Sequence, residues 1–372
     1  MNQKFLDLIE SSSPFEVDLS EMNEMLTVEN FMILAKYRPN LESLTLDMPD
    51  VEALKCLTLF PKIKNLFIKD SLLACEEEEW VESICSLSQL THLAIQHCHD
   101  IDSTFIEKLC ILHNIISLDF THAERICDEN IHFFSKFKHL RFLNINGAGY
   151  LEDSEMTFLT NLSNLEGLEL AYTNFSNDGY QKLSVLHNLK YLNLSGTKIS
   201  DESLKVLSSS LPNLELLNLN NCENITSKGL TYLEKFTKLR LIYVSNYPKL
   251  TWSANMESLD SAYLRFTDKE YLPISFLINL KYLDLSGTKV TDENLKMFSS
   301  ALYNLEIINL NNCQNISEQG LHYLNKLPKL GLIYMNNCPQ VSKNLIQQIS
   351  SLKLNTNFEA WEFWNSLTKN YQ

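Results

Sequence analysis

The sequence predicts an α/β solenoid, with a parallel β-sheet on the concave side and helices on the convex side. Three observations carry that prediction. A leucine-patterned unit recurs at near-constant spacing through almost all of the 372 residues. Within each unit the apolar period switches from two to about 3.6, as it does where a strand is followed by a helix. No stretch between units is long or polar enough to part the chain into ordinary domains, and the nine glycines and nine prolines do not cluster.

In chain order, residues 1–40 are expected to form an N-terminal capping repeat with a strand near Val17 and Leu19. The pattern L-x-x-L-x-L begins at Leu41/Leu44/Leu46 and restarts at Ile63, Leu90, Ile115, Leu140, Leu165, Leu189, Leu214 and Leu239. It passes a degenerate copy at Met256 and resumes at Leu280, Leu305 and Leu330, so that 13 copies, most of them 24 or 25 residues apart, fill 41–348. This is the period of a leucine-rich repeat, in which a short strand, a turn and a helix make one unit. After Leu189, for example, Ile199 anchors the turn and Ser200-Asp201-Glu202 opens a helix with acidic groups at its positive end. Leu204 and Leu207 then continue at helical spacing toward the sheet, while Gly196 and Gly287 stand where the chain turns after a strand. Residues 188–251 align without gaps to 279–342 with 39 of 64 positions identical, so a block of repeats has been duplicated. Between the copies, 247–260 is irregular; no full helix is expected there, and Trp252 is expected to fill the gap. Residues 349–372 are expected to cap the other end through the helix-spaced aromatics Phe358, Trp361, Phe363 and Trp364, with a partner-docking helix as the alternative.

Several strands are followed by Asn-Asn-Cys or its equivalent: Asn220-Asn221-Cys222, Asn311-Asn312-Cys313, Asn336-Asn337-Cys338 and Gln96-His97-Cys98. Here the sequence resembles the cysteine-containing subclass of leucine-rich-repeat proteins, over about 340 residues. Its best-known members are substrate-binding subunits of F-box ubiquitin ligases, and bacterial effectors delivered into eukaryotic hosts are similar to it. The resemblance implies a leucine-rich-repeat horseshoe that binds other proteins, as an effector or as a ubiquitin-ligase adaptor. Residues 1–40 depart from the adaptor pattern in carrying no F-box-sized helical bundle. The cysteine, or Thr197 and Thr288 in its place, reads as a small inward residue that fills the turn and meets buried backbone groups.

Composition narrows the function classes. A net charge of −15 with no basic block argues against nucleic acid as a partner. The run Glu76 to Glu79 reads as a solvated helix start. No basic segment followed by an apolar one opens the chain, and no run of about 18 apolar residues predicts a membrane span. Nine cysteines without paired spacing read as reduced thiols, hence a cytoplasmic protein or one delivered into a host without a signal peptide. His92, His97, Cys98 and His99 raise the question of a metal, yet one strand residue and three turn residues are not expected to converge on a tetrahedral site. No cysteine has a histidine and an acid in a pattern that would activate it, so no catalytic residue, metal or cofactor is expected, and an enzyme with a cysteine nucleophile is the remotest reading.

The predicted site is therefore the concave face. Alternation along L-x-x-L-x-L turns the third and fifth positions of each repeat away from the core. These positions hold Phe142, Tyr191, Leu216, Leu241, Tyr243, Tyr282, Ile307, Leu332 and Tyr334, expected to form solvent-facing apolar stripes that a protein partner covers on a monomeric solenoid. The competing explanation is that strand propensity alone favours Tyr, Ile and Leu there, and that the duplication copied the pattern.

Overall fold

The computed structural model describes the chain except for residues 1–2, 21, 23–25, 70–77, 98–102, 124–125, 127–130, 149–150, 152, 244–279, 343–352 and 355–372. It consists of two compact units, Met1–Asn174 and Phe175–Tyr371. The irregular stretch 247–260 with Trp252, the degenerate copy at Met256 and the C-terminal aromatics Phe358, Trp361, Phe363 and Trp364 lie outside the described residues.

In the first unit, strands β1 (Glu16–Asp18), β2 (Ser43–Asp47), β3 (Asn65–Lys69), β4 (His92–Ile95), β5 (Ser117–Asp119), β6 (Phe142–Asn144) and β7 (Gly167–Glu169) pair in chain order. All pairings are parallel, and the register sets the middle leucine of one repeat beside that of the next: Leu44, Leu66, Leu93, Leu118, Leu143 and Leu168 form one buried column. Helices such as Val28–Tyr37, Glu78–Cys85 and Ser103–Leu109, and shorter 3-10 turns such as Ile131–Lys136, close the other side of the core. Aromatic rings run through that core from repeat to repeat, Trp80 to Phe105 at 5.3 Å, Phe105 to Phe120 at 6.0 Å and Phe120 to Phe134 at 6.2 Å between centroids.

The second unit repeats the plan with β8 (Tyr191–Asn193), β9 (Leu216–Asn218), β10 (Leu241–Tyr243), β11 (Tyr282–Asp284), β12 (Ile307–Asn309), β13 (Leu332–Tyr334) and β14 (Lys353–Leu354). β10 belongs to the first copy of the duplicated block and β11 to the second, and they pair in the same register as the strands within each copy. The helix Asp201–Ser210 and its counterpart Asp292–Ser299 begin with acidic residues, after the caps Ser200 and Thr291.

Two devices hold successive repeats in step. In the first, the eighth residue of the repeat adopts a left-handed conformation, at Met48, His97, His122, Gly147 and Tyr172 in the first unit and at Gly196, Asn221, Gly287, Asn312 and Asn337 in the second. Glycine and asparagine adopt it with little strain. The ninth residue then points inward. Thr197 Oγ1 donates to its own repeat's Leu194 carbonyl (2.7 Å), and Cys222 Sγ donates to that same oxygen from the following repeat (3.0 Å). Cys313 and Cys338 reach back in the same way to Leu285 and Leu310, both at 3.2 Å.

The second device is a carboxylate clamp between helix starts. Asp201 accepts from the Thr226 backbone N–H (2.8 Å) and hydroxyl (2.5 Å), and Asp292 accepts from Ser317 in the same two ways (2.9 and 2.5 Å). Gly229 and Gly320 lie against these carboxylates, where a Cβ would collide with the Oδ1 atom.

Candidate recognition face

In the second unit the third repeat position forms the column Tyr191, Leu216, Leu241, Tyr282, Ile307, Leu332, and the fifth forms Asn193, Asn218, Tyr243, Asp284, Asn309, Tyr334. In the first unit Phe142 stands in the third-position column between Ser117 and Gly167. The strand register thus brings the predicted residues of the second unit together and sets Phe142 apart.

Their exposure corrects the sequence-based expectation. Tyr191, Leu216, Tyr243 and Tyr334 keep only 5–7% of their surface and Tyr282 none, whereas Phe142, Ile307 and Leu332 are half-buried; the side chain of Leu241 is outside the described residues. The reason is the spacing of a parallel sheet. Equivalent positions on neighbouring strands lie about 4.8 Å apart, so bulky groups in one column cover one another. The Tyr243 and Tyr282 rings add a diagonal contact from the fifth column to the third on the next strand, 5.2 Å between centroids. Among the described residues of the second unit, the part of the predicted stripe that remains accessible lies at Ile307 and Leu332.

The fifth-position column has a structural task that the sequence reading missed. Asn193, Asn218, Asp284 and Asn309 each accept, through Oδ1, the backbone N–H two residues on, at 3.0, 3.0, 2.8 and 3.1 Å. Asn144 does the same in the first unit at 3.0 Å. These are Asx turns that tie off the chain as it leaves the strand, and the available signal was an Asn or Asp placed two residues before each turn. Asp284 also accepts from Asn309 Nδ2 (3.2 Å); burial holds its carboxyl above the ordinary carboxylate value although these hydrogen bonds work against the shift.

Just before the strands, oppositely charged residues pair between adjacent repeats: Lys64 with Glu42 (2.8 Å), Arg141 with Glu166 (2.5 Å), Arg240 with Glu215 (3.1 Å) and Lys281 with Glu306 (2.5 Å). Apart from Glu166, whose side chain is mostly covered, these groups are substantially exposed, and pairs of this kind set local geometry more than stability.

Of the candidate metal-ligating residues, His92 and His97 are described. His92 is half-buried with Nδ1 at 2.9 Å from Thr91 Oγ1, and burial holds its imidazole below the ordinary value. His97 stacks on His122 of the next repeat, a neighbour that sequence spacing had not suggested, with ring centroids 4.8 Å apart. Cys98 and His99 lie outside the described residues, and no group of three or more metal-ligating side chains occurs among the described ones. Burial pushes the thiols of Cys85 and Cys110 up to about 11 and those of Cys222 and Cys313 up to about 12, the opposite of what a nucleophile requires.

A sequence profile for the leucine-rich repeats of RPS2-like plant disease resistance proteins matches residues 111–253, and a second leucine-rich-repeat profile matches 277–299. The chain is a leucine-rich-repeat protein. Its solenoid is similar in fold to an internalin of Listeria monocytogenes, with 17% identity, 95% of this chain and 94% of the other covered, and a TM-score of 0.55. It is similarly close to a chain of the yeast Rad7–Elc1 complex, at 17% identity, 95% and 90% coverage and a TM-score of 0.54. Curated relatives that match in sequence include a trypanosome and a fruit-fly protein. A putative adenylate cyclase regulatory protein of Trypanosoma equiperdum is 28% identical over 158 residues, which cover 42% of this chain and 23% of that protein. The distal membrane arm assembly component 2 of Drosophila melanogaster is 33% identical over 96 residues, 25% of this chain and 31% of that one. This leucine-rich-repeat protein thus spans about a quarter to a third of the curated relatives it matches. Its fold is that of a protein-interaction module, and no described helix is long and apolar enough to cross a membrane.

Proposed function

We propose that this protein is a non-enzymatic recognition module that binds another protein on the open face of its sheet, the face turned away from the helices. The observation that carries the reading is the half-buried apolar pair Ile307 and Leu332, adjacent on β12 and β13 beside an open groove. The raised cysteine thiols support a binding role over a catalytic one. The setting we favour is a bacterial effector that engages a protein of a eukaryotic host, cytoplasmic or delivered without a signal peptide and acting as a monomer. An adaptor that presents substrates to a ubiquitin ligase, with the recruiting element on another chain, is the second reading; the Asn-Asn-Cys tags favour it.

Affinity capture from eukaryotic lysate tests both, with wild type compared against the Ile307→Asp, Leu332→Asp double variant. A specific protein that the double variant no longer captures is the expected result. Co-capture of a cullin-type scaffold would favour the adaptor. The same proteins held equally by both forms would remove the open face as the binding surface.

A further inference from the structure

The two copies of the duplicated block diverge at the edge where the strands begin. In the first copy Arg240 precedes Leu241 and pairs with Glu215; at the equivalent place in the second copy stands Gly331, and a Cβ built there meets nothing within 4 Å. An open groove of about 470 Å³ occupies this place, lined by Glu306, Ile307, Lys329, Gly331 and Leu332. A neighbouring groove of about 420 Å³ includes Glu215, Lys238, Arg240 and Lys281 in its lining.

Charge at this edge runs against that of the whole chain. Glu215 and Glu306 are neutralised by Arg240 and Lys281. Lys238 and Lys329, equivalent residues of the two copies and both exposed, bond instead to amide oxygens, those of Asn213 (2.6 Å) and Asn304 (2.7 Å). An amide orients an ammonium group without cancelling its charge. Among the described residues, the edge therefore carries two positive charges that no carboxylate pairs with, on a protein of net charge −15.

We propose that this edge docks an acidic, extended segment of the partner protein. Its carboxylates meet Lys238 and Lys329, and an apolar side chain enters beside Gly331 onto Ile307 and Leu332. Three strand steps separate the two lysines, about 14 Å at about 4.8 Å per step, which an extended chain covers in about four residues. The segment thus carries two acidic residues at a spacing of about four, with the apolar residue near the one that meets Lys329. This inference rests on the open face being the protein-binding surface.

The test uses a random peptide display library selected against the full chain, followed by fluorescence anisotropy of the enriched peptides. Expected is enrichment of paired Asp or Glu with one large apolar residue, and binding that weakens as salt is raised. The Lys238→Gln, Lys329→Gln double variant should lose roughly tenfold in affinity, as two exposed charge contacts imply. Gly331→Arg, which installs the residue of the first copy where there is room for it, should block binding, while thermal melts of both variants match wild type. Peptides that lack acidic residues, or that bind both variants like wild type, overturn the groove; if Leu332→Asp still abolishes their binding, the open face stands without it. A library that yields no binder overturns docking of an extended segment and leaves the open face to the capture experiment.

Discussion

Asp284 occupies the place that Asn193 holds in the first copy, so a single atom separates a neutral turn-former from a buried acid. Burial raises its folded pKa above the ordinary 3.8, which means that the folded protein binds this proton more tightly than the unfolded chain. The group therefore favours folding at low pH, and that contribution is lost as pH rises from about 4 through the folded value. Asp284→Asn keeps an Oδ1 acceptor for the Ser286 N–H and removes the charge. We expect the variant to melt higher than wild type at neutral pH, with the difference closing as pH falls toward about 4. Melting curves that stay parallel across this range would contradict the assignment. The same residue shows a limit of sequence reading. Alternation places Asp284 on the open face, but its commitment to the Ser286 N–H follows from the turn geometry two residues later.

Between elements, the clamp of Asp292 on Ser317 depends on Gly320, against whose Cα the carboxylate lies. Gly320→Ala should destabilise the protein by about 1–3 kcal/mol through overpacking. In Asp292→Ala the cost of adding that methyl should shrink, so the two losses should not add in urea unfolding; simple additivity would mean that the glycine serves some other purpose. The elements themselves were legible: the leucine spacing located the strands, and Ser200-Asp201-Glu202 marked a helix start found at Asp201. The exposure of the recognition face was not. Periodicity along one strand tells which way Tyr282 points, while its complete burial depends on Tyr243 across the pairing, whereas Phe142, between Ser117 and Gly167, stays half open. Nor could a single copy reveal the groove at Gly331; it emerges when that glycine is set against Arg240 and the space around it is examined.

On the scale of the whole molecule, each repeat is stabilised chiefly by its immediate neighbours, so damage should stay local. Leu118 lies fully buried on β5 between Leu93 and Leu143. Leu118→Ala should cost about 2–5 kcal/mol. Amide hydrogen exchange should then rise in β4, β5 and β6 and stay unchanged in β12 and β13; uniform acceleration would instead mean all-or-none unfolding of the chain. The clamps of Asp201 and Asp292 bear on a different matter, the heredity of the gene. Each ties residues 25 positions apart, and so acts as a ruler for repeat length. A crossover between sister repeats that changes this interval would pull the aspartate off its hydroxyl partner, so the clamp favours exchanges that keep the repeat length. Both copies, with 39 of 64 positions in common, have kept the ruler, while the edge residues, Arg240 in one copy and Gly331 in the other, have drifted apart.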